Sequence, residues 1–143
     1  LLLIAAAKHL TTGQAIGADI WSQVDQGSNR PEVTIENAEI EGVADRVGVQ
    51  DGDARHLPFE DNLFDVIVSA LVIHNIRDRA GRDQAIQEIA RVLKPGGHIA
   101  IHDMADLNDY AQVLQTNGIN KVTFSEKIFL FNAYTRILIA AKG

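Results

Sequence analysis

Apolar residues occur along the chain in two patterns, at helical spacing and in continuous runs. These patterns predict helices and strands in alternation. Residues 78–93 carry apolar side chains at helical spacing, so that these would share one face of a helix. Residues 63–73 contain an apolar run with too few polar residues to face water, which is typical of a buried strand. The predicted helices are 1–10, 31–42, 78–93 and 107–118, and the predicted strands are 15–21, 45–50, 63–73, 98–104, 121–125 and 134–141.

The order of these elements indicates a fold class. Strands that alternate with helices predict an α/β protein with a doubly wound, mostly parallel sheet. The sequence KPGG at 94–97 should act structurally, because proline and glycine end the third long helix and turn the chain into the next strand. The last two strands are close enough in sequence to form an antiparallel pair, so we expect an antiparallel strand at the C-terminal end of the sheet.

Composition narrows the class of protein. The sequence has 143 residues, 46% of them hydrophobic and 22% charged, which predicts a single globular domain over residues 1–143. It has no cysteine, so it offers neither a disulfide nor a thiolate metal ligand, and we expect a cytoplasmic location. The formal net charge of −6 argues against a nucleic-acid partner. The apolar segment 1–10 is too short to cross a membrane, so no membrane partner is expected for this segment.

Acidic residues follow several of the predicted strands. In doubly wound sheets, ligands bind outside the carboxyl ends of the strands. Asp19 ends the first strand, where a carboxylate can accept hydrogen bonds from both hydroxyls of a ribose. Asp53 and the backbone N–H of Ala54 could bind the amine and a ring nitrogen of an adenine. Alternatively Asp19 is an ordinary turn residue, and for Asp51 a turn-capping role is favoured over a ligand contact.

Other side chains near the strand ends have two interpretations each. His74 could accept a proton or contact a substrate, or its ring could be hydrogen-bonded into the local turn. His102 and Asp103 end one strand together, but two such residues are a weak metal signal, so no metal is expected. Trp21 could cover an adenine site or fill a cavity beneath a loop.

Two segments carry a family resemblance. The stretch GDARHLPFEDNLFDVIVSALVIHNI, followed by EIARVLKPGGHIAIHD, resembles class I S-adenosylmethionine-dependent methyltransferases of the small-molecule type, and the resemblance covers nearly the whole chain. It implies a Rossmann-like sheet, S-adenosylmethionine as cofactor, and methyl transfer to a small-molecule acceptor that the sequence does not identify. It implies these cofactor contacts: Asp19, Ile20, Asp53, Ala54, Ser69, Ala70 and Leu71.

Within this resemblance Ile20 would pack on the adenine, and residues 69–71 would face the methionine portion. His74 is the candidate catalytic residue. Methyl transfer depends mainly on in-line positioning, with a base to take a proton from the acceptor.

The sequence departs from the family at its front. It contains no DxGxGxG pattern, so we expect an N-terminally truncated methyltransferase that lacks the first strand and the Gly-rich loop. The absent strand would lie between strands 15–21 and 63–73. The alternative is an inactive cofactor-binding or structural remnant that could form a homodimer. A nicotinamide-dependent oxidoreductase would need a GxGxxG fingerprint and a second domain, and the sequence shows neither.

Overall fold

The structure is a computed structural model that describes residues 1–22, 29–104, 107–130 and 132–143. The described residues form two compact units, Leu1–Asp53 and Ala54–Gly143. The single domain expected over residues 1–143 stays a prediction.

The first unit contains two helices and two parallel strands. Its elements are α1 (Leu2–His9), β1 (Ala15–Asp19), α2 (Pro31–Ile40), a short 3-10 helix (Ala44–Arg46) and β2 (Val47–Asp51). Ala15 lies opposite Val47 and Asp19 lies opposite Asp51, so the carboxyl ends of both strands meet at one edge. The small core of the unit consists of Ile4, Ala7, Ala38 and Val43.

The second unit contains a mixed sheet. Its elements are β3 (Phe64–Ala70), a 3-10 helix (Ile73–Asn75), α3 (Arg79–Val92), β4 (Leu93–Asp103), α4 (Leu107–Thr116), β5 (Lys121–Phe124), β6 (Ile128–Leu130) and β7 (Ala133–Ala141). The strand order is β3-β4-β7-β5, and β6 pairs with β7 beside this path. β3 and β4 are parallel, whereas β7 is antiparallel to β4, β5 and β6. The predicted α/β class with an antiparallel C-terminal strand is confirmed.

α3 has a capped first turn and one buried apolar face. The side chain of Asp78 caps the helix by accepting a 2.7 Å hydrogen bond from the backbone N–H of Gly81. The apolar face of the helix is buried and packs into the main core with residues of β4, α4 and β7. The cap therefore sets where the helix begins, and burial of one face stabilises the rest of it.

Two details of the second unit differ from the sequence prediction. β4 begins at Leu93 and not at the predicted residue 98, because Leu93 pairs with Phe64 ahead of an irregularity in the register. The KPGG segment therefore lies within the bounds of β4. β6 was not predicted, since a strand of three residues is too short to show a period.

Several strands have an edge without a described partner, among them β1 and β3. In the described part of the chain, β1 pairs only with β2, and β3 pairs only with β4. Val66 and Val68 of β3 are exposed, at 60% and 42%. Such edges present unpaired backbone groups. None of the described helices is long and apolar enough to cross a membrane.

Candidate functional site

The carboxyl ends of β1 and β2 bring two acidic side chains together. Asp19 Oδ1 accepts hydrogen bonds from the backbone N–H of Trp21 at 2.7 Å and from Asn29 Nδ2 at 3.2 Å. The indole N–H of Trp21 donates to Asp51 Oδ1 at 2.7 Å. Asp19 Oδ2 accepts no hydrogen bond from any residue that the structure describes. One carboxylate oxygen is thus fixed by the turn, and the other remains able to accept.

The residues beside Asp19 suit a nucleoside. Ile20 directly follows Asp19 in sequence and is 64% exposed, so it presents an apolar surface to solvent. Trp21 has φ of +55°, a left-handed conformation that bulky residues rarely adopt and that often occurs at functional sites. The combination of an acceptor oxygen and an apolar surface fits a ribose with its attached base.

The other predicted adenine contacts lie just beyond β2. Asp53 follows the end of β2 by two residues and is half-buried, and Ala54 packs against the core of the second unit. Asp53 belongs to the first unit and Ala54 to the second. Their joint contact with an adenine stays a prediction.

The end of β3 supplies the remaining predicted cofactor contacts. Ser69 and Ala70 are the last residues of β3, and Leu71 follows them with φ of +56°. The backbone N–H of Leu71 donates to the carbonyl of His102 at 2.8 Å, which holds this turn against β4. All three predicted contacts are half-buried. A left-handed leucine costs about 1–3 kcal/mol, and such strain clusters at ligand sites.

Asp103 and His74 form a closely bonded acid–histidine pair in the second unit. Asp103 Oδ1 lies 2.6 Å from His74 Nδ1, and Asp103 Oδ2 accepts from the backbone N–H of His74 at 3.1 Å. The backbone N–H of Met104 donates to Oδ1 at 2.7 Å. The Asp103 side chain is fully buried, whereas the His74 side chain is 23% exposed.

This pair gives His74 a defined orientation. An ionised carboxylate can only accept hydrogen bonds, so the proton of a neutral imidazole lies on Nδ1 and faces Asp103. Nε2 then keeps its lone pair. The role of His74 as a proton acceptor stays a prediction, and Asp103 is the residue that holds the His74 ring.

The pairing of Asp103 differs from the one considered from the sequence. His102 and Asp103 are adjacent on β4, so their side chains point to opposite faces of the sheet. His102 Nε2 lies 2.8 Å from Thr135 Oγ1, and Asp103 bonds to His74. Within the described residues, no group of three or more His, Asp and Glu side chains could hold a metal ion.

A cavity of about 310 Å³ lies beside the end of β4. Its lining comes from the end of β4, the start of α4, the residue before β6 and the first half of β7. The lining residues are Asp103, Met104, Leu107, Asn108, Lys127, Tyr134, Thr135 and Arg136. Sequence reasoning missed the cationic pair Lys127 and Arg136, because no motif surrounds either residue.

Comparison with known proteins identifies the family. A family model for a methyltransferase domain matches residues 3–101. The chain is 34% identical over 110 residues to a sterol 4-C-methyltransferase from Caenorhabditis elegans, covering 71% of the chain and 32% of that protein. It is 38% identical over 99 residues to a demethylmenaquinone methyltransferase from Lactiplantibacillus plantarum, covering 67% of the chain and 37% of that protein. The chain thus spans about a third of the length of these relatives.

Solved structures share the fold. A SAM-dependent methyltransferase from Methanosarcina mazei matches 99% of the chain and 86% of its own length with a TM-score of 0.75 at 16% identity. The [4+2]-cyclase SpnF matches 97% of the chain and 69% of its own length with a TM-score of 0.71 at 20% identity. The expected cofactor, S-adenosylmethionine, agrees with the family match and with the first of these structures. With residues 3–101 matched by the family model, the chain belongs to the methyltransferase domain family.

Proposed function

We propose that the chain binds S-adenosylmethionine and transfers its methyl group to a small-molecule acceptor. The observation that carries this proposal is the Asp19 carboxylate at the end of β1, with one oxygen fixed by Trp21 and the other without a described donor. The family match supports the same cofactor. The bound cofactor supplies an electrophilic methyl group on a positively charged sulfur.

Each predicted contact has a separate role in this proposal. Asp19 accepts from the ribose hydroxyls, and Ile20 packs against the adenine. Asp53 accepts from the adenine amine, and the backbone N–H of Ala54 donates to the neighbouring ring nitrogen. Three residues at the end of β3 face the methionine portion: Ser69, Ala70 and Leu71.

His74 is the proton acceptor in this proposal. Its Nε2 takes the proton from a hydroxyl or similar nucleophile of the acceptor as that group is methylated. Asp103 orients the ring, because its carboxylate oxygen lies 2.6 Å from Nδ1. Asp103 is a positioning residue and not a contact of the acceptor in this reaction.

Calorimetric titration of the chain with S-adenosylmethionine tests the cofactor site. We expect micromolar binding, and we expect Asp19→Ala to weaken it about tenfold or more, since hydrogen bonds to a charged group contribute about 1.5–3 kcal/mol. Asp45→Ala is the matched control, because Asp45 is an exposed carboxylate ahead of β2. Absence of binding by the folded chain at millimolar cofactor would refute the proposal.

A second function is a cofactor-binding or structural module without catalysis. The edges of β1 and β3 that have no described partner favour it, because such edges can pair with a second chain. Such a module would bind cofactor with the same dependence on Asp19 and would form a dimer through an exposed strand edge. Sedimentation together with a methyl-transfer assay separates the two cases. A dimer that dissociates in the Val66→Lys variant, formed by a chain that transfers no methyl group, supports the module.

A further inference from the structure

Two cations without described acidic partners line the cavity of the second unit. Lys127 and Arg136 both contribute to its wall. In the described part of the chain, neither forms an ion pair with Asp or Glu. The charge of the cavity wall therefore favours an anion.

The guanidinium of Arg136 is held in place before any ligand binds. Its Cζ lies 4.7 Å from the centroid of the Phe124 ring, and its Nε donates to the carbonyl of Ser125 at 3.1 Å. Its two terminal nitrogens form no hydrogen bond with the described residues. A fixed guanidinium with free terminal N–H groups matches the geometry of a carboxylate, which it can bind through two parallel hydrogen bonds.

The acid in the wall forms no ion pair with either cation, so the described lining residues keep a net positive charge. Asp103 lies directly opposite Arg136 across β4 and β7, yet the two side chains form no ion pair. Both oxygens of Asp103 accept hydrogen bonds from His74 and Met104. Asp103 is the single acidic residue among the described lining residues, and it is already engaged.

Part of the cavity wall is apolar or aromatic. Tyr134 lines the cavity and is 65% exposed, and its ring centroid lies 5.1 Å from that of Phe129, which is 60% exposed. Met104 and Leu107 add aliphatic surface to the wall. A cavity of about 310 Å³ lies at the lower end of the size range of small-molecule sites. Its ligand should therefore combine a compact apolar body with one anionic group.

We propose that this cavity binds a small aromatic or aliphatic molecule through a carboxylate, which Lys127 and Arg136 hold. The inference rests on the proposed function, because it names the class of methyl acceptor: an anionic small molecule whose nucleophile is separate from its carboxylate. Asp103 joins the two sites, since it lines this cavity and holds His74.

The single methionine of the sequence reports on this cavity. Met104 lines it and is the only methionine in the chain, so ¹³C-methyl labelling gives one resonance from the native residues. The Met104→Leu variant assigns that resonance, because it loses the Met104 signal and keeps the signal of an added initiator methionine. The titrant is 3-phenylpropionate, and the uncharged 3-phenylpropionamide of similar shape is the matched control.

We expect 3-phenylpropionate to shift the Met104 resonance saturably and the amide to bind about tenfold more weakly or not at all. Lys127→Gln and Arg136→Gln should each weaken carboxylate binding about tenfold, whereas Lys121→Gln, an exposed lysine at the start of β5, should leave it unchanged. Equal binding of acid and amide, or unaltered binding by both cavity variants, would overturn the proposal.

The titration needs no cofactor, which separates this inference from the proposed function. Carboxylate binding without any binding of S-adenosylmethionine would retain the cavity assignment and reject methyl transfer. Cofactor binding that depends on Asp19, with no shift of Met104 by the carboxylate, would reject the cavity assignment alone.

Discussion

Replacing Asp103 by Asn should lower stability, because the amide cannot satisfy every donor that the carboxylate satisfies. Oδ2 accepts from the backbone N–H of His74 at 3.1 Å, and Oδ1 accepts from that of Met104 at 2.7 Å. An amide has one acceptor oxygen, so its NH2 must face one of these N–H groups in either orientation. Leaving one such donor unsatisfied costs about 1–3 kcal/mol.

Urea denaturation followed by circular dichroism measures this effect. With a slope of about 1–3 kcal/mol per M, the midpoint should fall by about 1 M. Asp65→Asn is the matched control, because the Asp65 side chain is 80% exposed and pairs with Lys94 at the surface, where an ion pair contributes about 0–1 kcal/mol.

A midpoint for Asp103→Asn equal to that of the control would refute the reasoning, because the buried carboxylate would then not hold these donors. Nitrogen NMR of the native imidazole gives an independent reading. Long-range proton–nitrogen correlations should place the proton of neutral His74 on Nδ1. A proton on Nε2 would rule out His74 as the proton acceptor.

Three further substitutions test other parts of the second unit. The hydrogen bond from Arg91 lowers the pKa of Glu88 from its usual 4.5, so the Glu88 carboxylate stabilises the fold above about pH 4.5. This stabilisation is lost as the pH falls through the lowered pKa. The urea midpoint of Glu88→Gln should therefore fall less in acid than that of the native chain. Tyr110→Phe should raise the melting temperature, because the buried hydroxyl has no partner among the described residues and its desolvation costs about 1–3 kcal/mol. Asp78→Ala should cost about 1 kcal/mol by removing the cap bond to Gly81.

Each of these expectations has a contrary result. If the urea midpoint of Glu88→Gln falls with pH as steeply as that of the native chain, the ion pair with Arg91 does not contribute to folding. A lower melting temperature for Tyr110→Phe would show that the hydroxyl forms a bond in solution. Equal stability of Asp78→Ala and the native chain, measured by the same urea titration, would show that the cap is solvated.

The fold alone does not determine the reaction of such a protein. The cyclase SpnF shares the fold of the chain at a TM-score of 0.71, as does the methyltransferase from Methanosarcina mazei at 0.75. Reaction type depends on the groups placed at the strand ends. The acid at the end of β1 and the oriented histidine of the second unit are therefore more informative about chemistry than the sheet is.

Much of the fold could be predicted because its signals are local. The period of apolar residues predicted α3 almost to its ends, and the alternation of segments predicted the sheet class. The same local signals failed at the KPGG segment, where the strand bounds depend on pairing of Leu93 with Phe64. Pairing is a contact between distant segments, so periodicity cannot report it.

The sequence by itself determined which acids follow which strands, and hence the candidate nucleoside contact at Asp19. Only the tertiary structure decided which side chains meet. His74 and Asp103 are 29 residues apart, and Asp103 pairs with His74 and not with its neighbour His102, because successive side chains of β4 face opposite sides of the sheet. The cavity likewise joins residues of β4, α4 and β7. Its cations converge there because antiparallel pairing places Arg136 opposite Asp103, a register that no local sequence pattern encodes.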